Sequence, residues 1–134
     1  MCLITRWKSP KIAGEDIICY KFYMKAKDSL LSPYRLAKAP DINTKVNTEL
    51  DENVKSDLSN QYITIEKGFH SFKSLAPLLN ILFNKEVKDY VIFKCIIPRG
   101  SKYYEGTFQG NRSYCSNSIL LERIIKLAAP KSCY

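Results

Sequence analysis

Between Ile17 and Met24 the side chains alternate: Ile18, Tyr20, Phe22 and Met24 fall on one face at period two, and residues of mixed polarity fall on the other. That alternation predicts a β-strand. Tyr90–Ile97 is nearly continuous in large apolar residues, Lys94 being the exception, and predicts a central strand that is apolar on both faces. A third pattern lies between them. Leu75, Leu78, Leu79, Leu82 and Phe83 recur at helical spacing, Ser74 stands where it can cap the helix, and Pro77 sits in the first turn, where its missing N–H costs no bond. Tyr62–Ile65 is a short β-rich run ended by Lys67-Gly68. Ser118–Ile125 fits either period. Leu120, Leu121, Ile124, Ile125 and Ala128 suit a helix, whereas Ile119, Leu121 and Ile125 against Glu122 and Lys126 suit a strand beside residues 90–97, and the strand is the reading taken.

The chain is punctuated by Ser9-Pro10, by Gly14-Glu15-Asp16 and by Ser32-Pro33-Tyr34-Arg35, all read as loops. Pro98-Arg99-Gly100-Ser101 reads as a turn with proline at its second position, and Gly106–Asn111 as another. From about 38 to 60, isolated apolar residues among many Asn, Asp, Ser and Thr cannot repay the entropy of ordering. A mobile acidic loop is expected there, with a short helix near Thr48–Leu58 inside it. These elements imply a single domain over 1–134 of the α+β class. Its mostly antiparallel sheet would have about four to six strands, with one main helix near 74–84 packed on it.

With 134 residues, 46% of them hydrophobic and 25% charged, the chain can bury about two thirds of its unfolded surface and needs neither metal nor disulfide to build a core. The formal charge is +8, distributed as +5 over residues 1–40, −4 over 41–66 and +7 over 67–134. This balance favours anionic partners where the positive charge clusters. No apolar run approaches a membrane-spanning length, and Met1–Ile4 lacks the basic leader and apolar stretch of a secretory signal. A reducing, cytoplasmic setting is therefore expected for the five cysteines. They are odd in number, contain no C-x-x-C pair and share one histidine, which argues against structural zinc. Cys19 and Cys95 lie inside strand-like runs and read as small hydrophobes.

His70 is the only side chain with an unperturbed pKa near neutrality, so any imidazole acid or base must be His70. Its setting, Gly68-Phe69-His70-Ser71-Phe72, is a strand-to-helix junction of the kind that lines pockets. No G-x-S-x-G elbow surrounds Ser71, and no phosphate loop or dinucleotide fingerprint is present. Cys2 could act as an N-terminal nucleophile if Met1 were removed, but nothing in the sequence supplies an oxyanion hole for it. Arg99, Lys102, Tyr103, Tyr104 and Arg112 interleave positive charge with aromatic rings, as proteins that bind single-stranded nucleic acid do. No metal and no cofactor are expected.

The segments Lys67–Phe72, Phe93–Gly106 and Tyr114–Ile119, with Met1–Leu3 and Asp16–Lys21, resemble small proteins of Bacteroides-type gut bacteria and their phages, a group to which no activity attaches. A single histidine, with no metal spacing, no phosphate loop and no recognisable pair of acids, favours a non-enzymatic binding or accessory module of phage or mobile-element type. Gly68-Phe69-His70-Ser71 and Pro98-Arg99-Gly100 are also similar, in order, to the second half of ADP-ribosyltransferase domains. The catalytic glutamate of that family is missing: Tyr114–Ser118 occupies its place, and Glu122 comes several residues too late. Lys21 or Arg35 would have to serve for the family's arginine. This likeness implies a dinucleotide-binding pocket around His70, Arg35 and Tyr104. The candidate binding residues are thus His70, Ser71, Arg35, Arg99, Lys102 and Tyr104, toward a nucleotide or nucleic acid.

Overall fold

The computed structural model describes residues 3–26, 29–31, 41–51, 62–84 and 90–128. In chain order the elements are β1 (Leu3–Thr5), β2 (Lys11–Ile12), β3 (Ile17–Ala26), β4 (Ser29–Leu31), β5 (Lys45–Asn47), β6 (Ile63–Ile65), β7 (Phe69–Phe72), α1 (Leu75–Asn84), β8 (Tyr90–Ile97), β9 (Lys102–Phe108), β10 (Asn111–Ser116) and β11 (Ser118–Ala128). The architecture is α+β, a mostly antiparallel sheet with a single described helix. The strands lie in the order β5-β11-β8-β3-β7-β10-β9-β1-β6, with β2 beside β9 and β4 beside β3. This is more strands than the pattern implied, because β1, β2, β4 and β5 are each only two or three residues long and too short to show a period. Among the described residues no helix is long and apolar enough to cross a membrane.

β8 spans the residues its apolar run marked out and lies between β11 and β3. Residues 118–128 form a strand, and their mixed periodicity has a cause. Register shifts between Leu121 and Arg123 and between Ile124 and Lys126 reset which side chains face inward. The inward face of β3 is not the one the alternation favoured. Cys19 and Tyr23 are buried with Val91, Phe93, Cys95, Ile97, Ile119 and Leu121, whereas Ile18 is 50% exposed and Met24 38%. On the opposite face α1 shields only Tyr20 and Phe22 from water, leaving both ends of that apolar row uncovered.

The helix begins directly after Ser74, as expected, and four of its five periodic positions, Leu75, Leu78, Leu79 and Leu82, meet the core; Phe83 does not. Leu78, Ile81 and Leu82 are buried against Phe22, Phe72, Tyr90, Ile92 and Phe108, while Phe83 is 81% exposed. One residue along a helix is a rotation of about 100°, enough to carry Phe83 off the buried stripe that runs through Leu78 and Leu82.

Two turns also differ. Ser101 N donates to Pro98 O, so Pro98 opens that turn and Gly100, at φ +88, takes the position that requires a left-handed residue. Gly106 lies within β9, and the β9–β10 hairpin turns at Gln109-Gly110, both at positive φ, in the manner of a two-residue primed turn.

Part of the expected acidic loop is described, over 41–51, and it is packed. β5 pairs with β11, Leu50 is buried, and Asp51 Oδ2 accepts bonds from Glu66 N at 3.0 Å and Lys67 N at 2.9 Å. Thr48–Asp51 carries no helix. Residues 52–61, where that helix would continue, and Arg35 with its loop lie outside the described residues.

Candidate functional site

The sheet consists of two antiparallel halves that meet at one register pair, Tyr20 opposite Phe72, between β3 and β7. The titratable side chains converge on this seam. Cys19, Lys21 and Tyr23 project from one face of β3, and register sets Cys95 of β8 directly opposite Cys19. Continuing the register at the seam places Lys21 against Ser71 of β7. The ladder carries no further there; instead Lys21 Nζ donates to His70 O at 2.5 Å and stands 5.6 Å from the centre of the Tyr23 ring. Cys19, Cys95 and Ser71 are wholly buried.

Charge inside this nest is shared. Burial raises the Cys19 thiol, yet the neighbouring Cys95 and Ser71 side chains and the positive charge of Lys21 outweigh it and leave the thiol below its ordinary value. Its partner moves the other way: the proximity of Cys19 and burial raise Cys95, whose thiol donates to Phe93 O at 3.6 Å. Burial also lowers Lys21, against the pull of the neighbouring cysteines. The Cys19 thiol thus sits near the half-buried Lys21 amine, while Cys19, Cys95 and Ser71 themselves are walled off from solvent.

A second row crosses β7, β10 and β9. Cys115 lies between His70 and Tyr104 in register, with its sulfur 3.7 Å from His70 Nε2. Tyr104, wholly buried, donates to Asp51 O at 2.8 Å, and His70 Nε2 lies 2.8 Å from Glu66 O. Gly68 closes this end of the row. A Cβ on it would fall 2.5 Å from the Cys115 sulfur, and its φ of +138 favours glycine. His70 and Tyr104 therefore do come together, across Cys115, but inside the core. His70 is 8% exposed. Tyr104 cannot stack on a ligand as the sequence suggested, because strand alternation turns it inward while Tyr103 faces the other way.

A row of aromatic rings lies on the other face of β9 and β10, with Tyr114 buried and Trp7 and Tyr103 partly open to water. Trp7, Tyr103 and Tyr114 form a row of edge-to-face rings with centroids 5.5 and 6.0 Å apart, and Lys11 Nζ lies 4.1 Å from the centre of the Trp7 ring. Trp7 and Tyr103 are half-buried, and Lys11, Lys102 and Arg112 are exposed. Arg112 helps to hold down a Tyr114 phenol that burial and Glu105 push up to about 12. Arg99 is exposed on the Pro98 turn, its backbone N–H bonded to Asp16 at 2.9 Å. Trp7 and Lys11 are functional candidates that sequence reading missed. A lone tryptophan close to a lysine in a basic chain was the available signal.

Among the described residues no three His, Cys, Asp or Glu side chains are placed to share a metal ion. No family model, curated protein or solved structure matches the chain.

Proposed function

We propose that the protein is a non-enzymatic binding module that engages single-stranded nucleic acid across the outer face of β2, β9 and β10. The observation that carries this reading is the ring row Trp7–Tyr103–Tyr114, with Lys11 at one end and Arg112 beside the other. Trp7 and Tyr103 are half-buried, so they are held rigidly and still offer an apolar surface to an unpaired base. Tyr114 backs them from the core, and the exposed cations Lys11 and Arg112 attract the phosphates. Lys102, one residue before Tyr103 on β9, alternates to the opposite face and stands outside this row. Burial of Ser71, His70 and every described cysteine supports binding over catalysis at those side chains. An accessory role of phage or mobile-element type suits a module that transforms no substrate. The dinucleotide reading would require His70, Ser71 and Tyr104 to reach a ligand, and all three are buried.

The chain contains a single tryptophan, so stacking reports itself. Titration with an oligothymidylate of about 12 nucleotides should quench Trp7 fluorescence. With two phosphate contacts, from Lys11 and Arg112, log affinity should fall against log salt with a slope of about −1.4. Tyr103→Ala should weaken binding while the fold persists. Absence of quenching at low salt, or equal binding of a duplex, would reject the proposal.

A further inference from the structure

We propose that Cys19 and Cys95 are the site of a cross-strand disulfide, formed on exposure to peroxide and joining β3 to β8 beside the seam. Register sets the two residues directly opposite each other. Opposed residues of an antiparallel pair have Cα atoms about 4.5 to 5.5 Å apart, inside the range of roughly 4.4 to 6.8 Å that disulfides span. Both side chains lie in the same buried cluster, and both are free thiols. The Cys95 thiol is held in its own strand by a bond to Phe93 O at 3.6 Å, which it gives up when the disulfide forms.

The surroundings assign the roles. Cys19 is two residues from Lys21 on the same strand face, and the positive amine favours its thiolate over that of Cys95, so Cys19 attacks first. Its thiolate displaces hydroxide from hydrogen peroxide and becomes a sulfenic acid. The Cys95 sulfur then attacks the Cys19 sulfur; the S–O bond breaks, the Cys95 proton leaves with that oxygen as water, and the S–S bond forms. Overall two thiols and one peroxide give one disulfide and two waters. Cys115 takes no part, because its register partners are His70 and Tyr104 and it belongs to a different buried cluster. Burial makes the reaction slow, at the pace at which the sheet opens to peroxide.

The test uses the full chain carrying Cys2→Ser and Cys133→Ser, which leaves the three described cysteines. After millimolar hydrogen peroxide, unfolding and alkylation, the expected product is lighter than the reduced parent by two hydrogens before alkylation. It takes up a single alkyl group, on Cys115, and yields one peptide pair linked through Cys19 and Cys95. In a Cys95→Ala background the sulfenic acid has no resolving thiol, so dimedone should label Cys19, and Lys21→Met should slow that labelling several-fold. A link through Cys115 overturns the proposal. So does uptake of three alkyl groups by the parent together with no dimedone adduct in the Cys95→Ala variant.

Discussion

Replacing Gly106 with alanine tests how closely the small strand β1 is held to the sheet. Gly106 lies in β9, and a Cβ built on it would fall 2.2 Å from the carbonyl oxygen of Ile4, 2.9 Å from the Ile4 carbonyl carbon and 3.0 Å from Thr5 Cβ. Carbon and oxygen approach comfortably to roughly 3.3 Å, so one backbone must move by about 1 Å relative to the other. Neither is a flexible side chain that could swing aside. The shift loosens the β1–β9 pairing and stretches the bond of 2.7 Å that Thr5 Oγ1 donates to Glu105 O. It also disturbs Leu3 and Ile65, both wholly buried, which β1 and β6 bring together. Overpacking of this kind costs about 1 to 3 kcal/mol, and a strained hydrogen bond adds about 1 kcal/mol. Urea denaturation of Gly106→Ala should therefore show a loss of about 3 kcal/mol. Gly14→Ala is the control, because a Cβ there meets nothing within 4 Å, and it should change stability by less than about 1 kcal/mol. Equal stability of the two variants would mean that β1 does not lie against β9 as described.

Leu78→Ala empties a wholly buried position under the sheet and should cost about 3 kcal/mol, whereas Phe83→Ala should stay within about 0.5 kcal/mol by the same denaturation assay. Comparable losses at both positions would put Phe83 back on the buried stripe that the spacing predicts. Tyr114 is raised to about 12 by burial and by Glu105, so above pH 10 the unfolded chain releases this proton first. Its contribution to stability is complete below pH 10 and declines as pH climbs toward 12, by up to about 1.4 kcal/mol per pH unit. Tyr114→Phe should make that alkaline decline shallower, and denaturation curves at about pH 9 and 11 check the difference. Removing one phosphate contact with Arg112→Gln should reduce the salt slope of oligothymidylate binding by about 0.7, measured through Trp7 fluorescence, without abolishing binding.

The parts of the fold legible in the sequence are those where burial is long and one-sided or complete. Tyr90–Ile97 is buried at all but two partly covered positions, so no face had to be chosen and its bounds followed directly. β3 was legible as a strand but not as to its inward face, because that choice depends on what packs over each side. α1 is too short to cover Ile18 and Met24, and the cluster that covers Cys19 and Tyr23 comes from strands distant in sequence. β1 and β5 have no pattern of their own and exist because β9 and β11 offer them edges. The seam was hidden for the same reason. Its cysteines were each read as a small hydrophobe, and only the register of β3 against β8 makes them a pair.

Lys21 and Lys94 gave the same sequence signal, a cation interrupting an apolar strand, yet the physics differs. Lys94 reaches Glu122 at 3.1 Å near the surface, an ion pair worth about 1 kcal/mol or less. Lys21 turns inward, where its amine bonds a backbone carbonyl and its charge is set against a sulfur. Cys95, Ser71 and Lys21 all act to lower Cys19 against its burial. In a background retaining Cys19, the thiolate absorbance titration should therefore shift upward in Cys95→Ala, in Ser71→Ala and in Lys21→Met. Titrations identical to the parent in all three variants would mean that the Cys19 anion is not stabilised at the seam.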